Sequence, residues 1–321
     1  MKRKMLGNSD IKVSAMGMGC WGIGGPFYLI SGDVVAYGHV KDEDSIAAIQ
    51  KGLEMGITLF DTSDVYGCGR SERVLGQALK GSREDVVIAT KFGSAWNLES
   101  PDPSIPCQIV GNNASREYIV NALEGSLERL QTDYIDLYQL HTGSLDPQKA
   151  PDIMEILEEL VDEGRIRGYG WSTDDPDRAK IFAEGKNCIA VQFRHNITSR
   201  NLRMINEVNM EYNVAGLIKG PLGYGLFTGK YQDLDKIKLS RDHMWYGTKF
   251  GEGRPAEVRA ALEEMRSILT SDGRSLAQAA LGWIWAQNDL LIPIPGFKNL
   301  QQVEENVKAM NFGPLSAKEL K

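Results

Sequence analysis

Short β-rich runs alternate with helical stretches along almost the whole chain, and this alternation is the feature that most restricts the possible folds. The stretches between the runs carry apolar residues at helical spacing, as in Ile46, Ile49 and Leu53. Strict alternation of β and α elements predicts a parallel sheet with helices packed against it. The runs that predict strands occupy residues 13–20, 57–60, 85–90, 134–140, 166–171, 188–193, 214–219 and 290–294.

Eight such units in 321 residues favour an α/β fold of the closed (β/α)8 type, a TIM barrel. A doubly wound open sheet is the alternative, because periodicity does not distinguish a closed sheet from an open one. We also predict an N-terminal β-hairpin around Asn8 and Ser9, and long loops at the C-terminal face of the barrel. No repeat or interdomain linker interrupts the pattern, so residues 1–321 are predicted to form a single domain.

Composition excludes several classes of partner. The net charge of −7 offers no basic surface for nucleic acid and little attraction to an anionic membrane. No apolar run approaches the roughly 18 residues of a spanning helix, and the basic start of the chain lacks the apolar core of a signal peptide. Four scattered cysteines without C-x-x-C spacing argue against a zinc site or a disulfide framework, and for a reducing cytoplasm.

Residues 17–22 read GMGCWG and match the G-x-G-x-x-G pattern of dinucleotide-binding folds. That pattern carries meaning only where it follows a strand and opens a helix directly. Here the following residues are IGGPFYLISGD, which are typical of a loop. The segment therefore does not predict a Rossmann-type site.

Reactive side chains follow three successive predicted strands, where a barrel has its active site. Asp61 and Tyr66 follow the second strand, Lys91 the third and His141 the fourth. Each has a structural interpretation alone, and for a single histidine that is the default. Together the four fit one kind of chemistry, because an ammonium lowers the pKa of a phenol, a carboxylate keeps the ammonium charged, and a histidine polarises a carbonyl. The phenol would protonate the oxyanion that forms when hydride reaches a carbonyl carbon, which gives an alcohol.

These segments resemble those of the aldo-keto reductases, and the resemblance extends from about residue 13 to residue 310. It is carried by FDTSDVYG at residues 60–67, TKFG at 90–93 and YQLH at 138–141. The resemblance implies a (β/α)8 barrel that binds NADP(H), with NAD(H) as the alternative, and acts on a small carbonyl or alcohol substrate. It implies that Tyr66 donates the proton, Lys91 lowers its pKa, Asp61 pairs with Lys91 and His141 orients the carbonyl.

Later segments resemble the cofactor site of the same family. GWST at residues 170–173 and VQFRHN at 191–196 are similar to the segments that hold the nicotinamide carboxamide, with Thr173 and His195 replacing the usual Asn and Tyr. PLGYGLFTGK at 221–230 is similar to the loop over the pyrophosphate, and IPGFKN at 294–299 begins the adenosine site. The implied cofactor contacts are Trp21, Ser172, Gln192, Lys219, Pro221, Leu222, Gly225, Gly296, Lys298, Gln302, Glu305 and Asn306.

Three of these contacts leave questions open. Trp21 is expected over the substrate pocket, with burial under the following loop as the alternative. Lys219 stands where many members have an aromatic residue on the nicotinamide, and it could instead reach a substrate anion. Lys298 is the expected partner of the 2′-phosphate, against the alternative of an exposed turn lysine. The resemblance implies no metal.

Two other functions compete with the reductase. Barrel aldolases form a Schiff base through a lysine at a strand end, and Lys91 or Lys219 could serve in that role. A non-catalytic, cofactor-sensing barrel resembling a potassium-channel β subunit is the third interpretation. The substrate depends on loops 22–41, 92–114 and 220–255, which have no regular pattern, and the sequence predicts no oligomeric state. Aromatic residues of these loops that could form the pocket wall are Trp96, Tyr224, Trp245 and Tyr246.

Overall fold

The computed structural model describes residues 3–97, 107–143, 145–234 and 237–320. Its strands are β1 (Arg3–Met5), β2 (Lys12–Ser14), β3 (Met18–Gly19), β4 (Leu59–Asp61), β5 (Val87–Phe92), β6 (Ser94–Asn97), β7 (Gln108–Asn112), β8 (Leu137–Leu140), β9 (Tyr169–Ser172), β10 (Cys188–Arg194), β11 (Ala215–Lys219) and β12 (Leu291–Pro293). Within the described residues, β3, β4, β5 and β8 to β12 form one eight-stranded parallel sheet, in chain order.

The first and last strands of this sheet meet, so the predicted (β/α)8 barrel is confirmed. The amide of Gly17 donates to the carbonyl of Pro293 and that of Gly19 to the carbonyl of Pro295, both at 3.0 Å. A Cβ atom on Gly19 would lie 2.7 Å from the Ile294 carbonyl oxygen. The glycines of the GMGCWG segment thus allow the closing strands to approach, and a short 3₁₀ turn over Cys20–Gly24 follows β3 in place of the α-helix of a Rossmann motif.

The helices follow the strands as the periodicity predicts. The helix of residues 202–212 contains a π-helical turn, Met204–Asn209, before its last three residues. The helix bounds are α1 (Asp42–Glu54), α2 (Arg70–Ala78), α3 (Arg116–Leu130), α4 (Ala150–Asp162), α5 (Pro176–Ala183), α6 (Met210–Tyr212), α7 (Gly253–Leu269), α8 (Leu276–Trp285) and α9 (Leu300–Phe312). Their apolar faces pack on the outside of the barrel in one large buried cluster.

The N-terminal hairpin is present, and it closes one end of the barrel. β1 and β2 pair antiparallel from Arg3 opposite Ser14 to Met5 opposite Lys12. Leu6, Ile11 and Val13 of this hairpin pack with side chains of the barrel strands. The predicted strand 13–20 is therefore wrong as one element, because the chain leaves the hairpin after Ser14 and enters the barrel only at Met18.

A second hairpin lies in the loop after β5. β6 and β7 pair antiparallel, and Cys107, just before β7, is disulfide-bonded to Cys68 in the loop after β4. The expectation of unpaired cysteines is wrong for these two, because residues 39 positions apart meet at one rim of the barrel. Residues 98–106 of the loop 92–114 and residues 235–236 of the loop 220–255 lie outside the described residues.

Candidate active site

The four reactive residues predicted from strand ends lie together at the open end of the barrel. Asp61 ends β4, Lys91 lies on β5, His141 follows β8, and Tyr66 lies in the loop after β4. Lys91 Nζ donates to Asp61 Oδ1 at 2.7 Å, to the Thr62 carbonyl at 2.5 Å and to Tyr66 Oη at 3.3 Å. The rings of Tyr66 and His141 meet edge to face, with centroids 6.0 Å apart.

Burial shapes the protonation of this cluster. Burial would lower the pKa of Lys91, but Asp61 and Tyr66 hold it above its ordinary value, so the ammonium stays charged. Burial raises the pKa of Tyr66, and the nearby Lys91 lowers it only in part. Lys91 therefore acts in the expected direction, but burial outweighs it, and the net pKa of the phenol lies above its ordinary value. Burial, with Lys91 and Lys219, holds the pKa of His141 well below its ordinary value, so the imidazole is neutral.

A pair of glutamines fixes the second oxygen of Asp61. Gln192 Nε2 donates to Asp61 Oδ2 at 2.8 Å, and Gln139 Nε2 donates to the same atom at 3.2 Å. Gln139 is fully buried on β8 and was missed from the sequence, where it reads as a core position between Tyr138 and Leu140. These bonds leave Oδ1 of the carboxylate directed at Lys91.

A cavity of about 630 Å³ begins at Tyr66 and His141 and runs along the rim to the start of α9. Lys91 and Ser172 are the predicted site residues that do not line it. Lys91 is fully buried beneath Tyr66. The predicted residues that do line the cavity are Trp21, Asp61, Tyr66, His141, Gln192, Lys219, Pro221, Leu222, Gly225, Gly296, Lys298, Gln302, Glu305 and Asn306.

Polar groups in the cavity wall and directly beside it fit a nicotinamide dinucleotide. Ser172 Oγ is buried at the end of β9 and has no hydrogen-bond partner among the described residues, beside Gln192 on the next strand. A buried hydroxyl without a hydrogen-bond partner is unfavourable unless a ligand bonds to it, and a carboxamide would supply that hydrogen bond. At the other end of the cavity, Lys230 and Lys298 both contribute ammonium side chains to the wall. Lys230 ends the segment predicted to cover the pyrophosphate, although it was not among the predicted contacts.

The start of α9 carries the expected adenosine residues. Lys298 Nζ donates to the carbonyl of Tyr37 at 2.6 Å, and burial followed by the charge of Lys230 lowers the pKa of Lys298. Gln302 accepts a bond from the Lys298 amide, and Asn306 donates to the Gly296 carbonyl. Glu305 lines the cavity, but its carboxylate accepts from Ser275 at 2.7 Å and so connects α9 to α8.

Two residues that depart from the family pattern have structural roles. Thr173 Oγ1 accepts from the Asp175 amide, just before α5. His195 Nδ1 accepts from the Asn201 amide, and its ring stacks on Trp283 with centroids 5.0 Å apart. Burial lowers the pKa of His195 to about 4, so it is neutral.

Cations and aromatic rings share the rim of the cavity. Lys219 Nζ lies 3.4 Å from Asp174 Oδ1, and Arg194 donates to the Tyr224 hydroxyl at 2.6 Å. Trp21 packs among aromatic rings, with Tyr37, Tyr66 and Tyr224 within 6.4 Å between centroids. Of the four predicted wall aromatics, Tyr224 lines the cavity; Trp96, Trp245 and Tyr246 do not.

The described ranges contain neither a cluster of metal ligands nor a membrane-spanning helix. Within them, no group of three or more His, Cys, Asp or Glu side chains is arranged to hold a metal ion. No helix in the described part of the chain is long and apolar enough to cross a membrane.

Known proteins resemble this chain over its full length. Residues 15–321 match the model of the Aldo/keto reductase family. The NADH-specific methylglyoxal reductase of Escherichia coli (strain K12) is 32% identical, over 97% of this chain and 94% of the relative. The glycerol dehydrogenase AKR11B4 from Gluconobacter oxydans has a TM-score of 0.83 at 26% identity, over 99% of this chain and 92% of its own. An aldo-keto reductase from Klebsiella pneumoniae in complex with NADPH has a TM-score of 0.72 at 25% identity, over 100% of this chain and 93% of its own.

Proposed function

The chain belongs to the aldo/keto reductase family, and from this premise we propose how its site carries out hydride transfer. The protein is an NADP(H)-dependent oxidoreductase that acts on a carbonyl group of a small molecule or on the corresponding alcohol. The observation that supports the roles of its residues is the bond of Lys91 Nζ to Tyr66 Oη at 3.3 Å, beside His141 and at the mouth of one cavity.

The nicotinamide, when bound, exchanges hydride with the carbonyl carbon. Tyr66 gives its hydroxyl proton to the carbonyl oxygen during reduction and takes it back during oxidation, so that carbonyl, hydride and proton together give one alcohol. The charged Lys91 stabilises the phenolate left behind, and Asp61 keeps Lys91 charged and oriented. The neutral His141 donates to the same carbonyl oxygen and aligns it with the phenol.

We propose that Ser172 and Gln192 hold the carboxamide, and that Lys298, just before α9, holds the 2′-phosphate. The ammonium groups of Lys230 and Lys298 in the cavity wall support this assignment, since two cations suit a dianion better than a hydroxyl group. The name of the NADH-specific relative makes NAD(H) the alternative cofactor to test. The remaining cofactor contacts are proposed as predicted from the sequence.

The substrate is proposed to be an aldehyde, ketone or sugar. Trp21, Phe27 and Tyr224 supply apolar wall around the site of proton transfer, while Arg194 and Lys219 supply charge. The names of the relatives, a methylglyoxal reductase and a glycerol dehydrogenase, point to small polar molecules. A pocket with both kinds of wall suits such molecules, since it contacts their carbon skeleton and their oxygen atoms.

Neither alternative function is supported. A Schiff-base lysine must lose its proton, and Asp61 keeps Lys91 charged. Burial lowers the pKa of Lys219, the second candidate, but Asp174 lies 3.4 Å from its ammonium and opposes that effect. The relatives described above are reductases and a dehydrogenase, and none is an aldolase or a channel subunit by name.

We also propose that the chain is one domain and that it works in the cytoplasm. The cofactor supports that compartment, because NADP(H) is an intracellular cofactor. The cysteine argument for it no longer holds, since Cys68 and Cys107 are bonded. Counting the free thiols of the protein in freshly lysed cells, under denaturing and alkylating conditions, tests whether the bond between Cys68 and Cys107 is present in the cell.

The function is tested by following NADPH oxidation by the purified protein against a panel of aldehydes, ketones and sugars, with NADH in parallel. We expect turnover with NADPH, and the reverse reaction with NADP+ and the corresponding alcohol. Tyr66→Phe serves as the matched inactive control. The absence of both turnover and NADPH binding would refute the proposed function.

A further inference from the structure

A buried chain of side chains extends from His141 away from the cavity, and the mechanism above does not use it. His141 Nδ1 lies 3.3 Å from Ser63 Oγ, and Ser63 Oγ lies 3.1 Å from Asp64 Oδ1. Ser63 is fully buried and Asp64 is 1% exposed. The other ring nitrogen, Nε2, is left for the cavity that His141 lines.

The position of one proton on His141 decides whether it can polarise a carbonyl. The imidazole is neutral, so only one ring nitrogen carries hydrogen. If Asp64 is ionised, it only accepts; Ser63 then donates to Asp64, and the Ser63 oxygen accepts from Nδ1–H. Nε2 would then face the substrate as a bare acceptor, which repels a carbonyl oxygen. If Asp64 is protonated on Oδ1, its hydroxyl donates to Ser63 Oγ, Ser63 donates to Nδ1, and Nε2 carries the hydrogen.

The surroundings of Asp64 favour the protonated form. Its Oδ2 atom is buried without a hydrogen-bond partner among the described residues. On α2, Glu72 faces it as a second carboxylate, which is ion-paired with Arg129 of α3 at 2.7 Å. Burial, and then Glu72, raise the pKa of Asp64 to about 8, against Arg129, Ser63 and the Val65 amide, which lower it.

Two phenols complete the groups that face Asp64. Burial raises the pKa of Tyr118 of α3 and of Tyr138 of β8, and the negative charge of Asp64, when it is ionised, raises both pKa values further. Both phenols are thus neutral, and neither supplies a cation. In the described part of the chain, the cation that acts on Asp64 is Arg129, and its guanidinium is bound to Glu72.

We propose that Asp64, as a carboxylic acid, is a positioning residue that acts through Ser63 to make His141 present Nε2–H to the substrate carbonyl. This rests on the proposed role of His141 and adds the device that sets its tautomer. The relay gives the reductase an alkaline limit. As pH rises through about 8, Asp64 loses its proton, the relay reverses, and carbonyl reduction slows.

The tautomer is measured directly by ¹⁵N NMR of the full-length protein with ¹⁵N-labelled histidine. The chain has four histidines, and His141→Asn identifies the signals of His141. We expect the Nε2–H form at pH 7 and the Nδ1–H form above the ionisation of Asp64. Asp64→Asn, which does not ionise, should hold one tautomer from about pH 6 to about pH 10. A wild-type tautomer that does not change with pH, or the same change in Asp64→Asn, would overturn the proposal.

Kinetics supply the second test. Wild-type kcat/KM for carbonyl reduction should fall above about pH 8, and the profile of Asp64→Asn should lack that limb. Ser63→Ala should lower kcat/KM roughly tenfold across the pH range, less than loss of the donor itself, and Ser63→Thr should restore it. Ser45→Ala, which removes a buried hydroxyl on α1 that donates to the Lys41 carbonyl, is the matched control.

The two proposals fail differently. If the wild-type protein neither reduces a carbonyl nor binds NADPH, the proposed function fails, whereas the NMR titration still reports on the relay. If reduction proceeds and Asp64→Asn keeps the wild-type alkaline limb, the relay fails and the reductase stands.

Discussion

At the scale of single residues, one hydroxyl group separates Tyr66 from phenylalanine, and the proposed mechanism assigns the proton transfer to it. Tyr66→Phe keeps the ring that packs against Trp21 and His141 while removing the donor. We expect turnover to fall by roughly 10²–10⁴-fold. NADPH affinity, measured by fluorescence titration, should be unchanged. Tyr134→Phe, at the opposite end of the barrel, is the control, and wild-type turnover in Tyr66→Phe would refute the assigned role.

Positions at strand ends were the residue-scale features most readable from the sequence. Asp61, Lys91 and His141 lie at or just after the ends of predicted strands, and parallel strands bring such positions to one rim. The pKa of Tyr66 was harder to predict from the sequence, because burial raises it more than Lys91 lowers it. Burial depends on packing, which the order of residues does not state. Gln139 was missed for the same reason, since its amide differs from a core side chain only by what it contacts.

At the scale of elements, the bond between Cys68 and Cys107 joins the β6–β7 hairpin to the loop that carries Tyr66. Ser94 and Ile109 of that hairpin line the cavity. Cys107→Ser should lower the free energy of unfolding by about 2–4 kcal/mol, as expected for a closed loop of this length. It should also raise KM, because the hairpin loses its anchor beside the substrate. Denaturant unfolding and steady-state kinetics measure the two effects.

Reduction of the wild-type protein should reproduce both effects of Cys107→Ser. The double variant Cys68→Ser, Cys107→Ser is the control, and its stability and KM should not respond to dithiothreitol. If the stability and KM of the wild-type protein also do not respond to dithiothreitol, the bond does not constrain the hairpin.

The start of α9 should determine cofactor preference. Lys298→Ala removes an ammonium from the proposed 2′-phosphate site while leaving the adenosine contacts of Gln302 and Asn306 in place. We expect NADPH to bind roughly 10–100-fold more weakly, as for a lost charge-assisted bond, with little change for NADH. Isothermal titration with both cofactors measures this. Lys308→Ala, an exposed lysine on the same helix, is the control. Equal losses for the two cofactors would remove Lys298 from the phosphate site.

Helices were easier to predict than hairpins at this scale. The helical period repeats over many residues in α1 and α3, whereas β6 and β7 are four and five residues long. The strand predicted over residues 13–20 merged β2 with β3, because hydrophobic pattern alone does not report the change of direction after Ser14. Pairing partners fix short strands, and those partners are distant in sequence.

At the scale of the whole molecule, the closed sheet gives the barrel two different ends. The N-terminal hairpin packs Leu6, Ile11 and Val13 into one end, so the buried strands there meet apolar side chains. The other end holds the cavity and the side chains proposed for chemistry. Closure depends on Gly17 and Gly19, whose spacing in the sequence matches a nucleotide-binding turn. Their physical role, the close approach of β3 and β12, became apparent only in three dimensions.

A barrel closed by its first and last strands should unfold as one unit, because opening either strand breaks the sheet for all the others. We expect calorimetry to show one cooperative transition for residues 1–321, as proposed for a single domain. NADPH at 100 times its Kd should raise the free energy of unfolding by about 2.7 kcal/mol. Tyr66→Phe should keep this increase, and Lys298→Ala should lose about half of it or more at the same NADPH concentration. Two transitions, of which one responds to NADPH, would instead indicate two domains and a cofactor site confined to one of them.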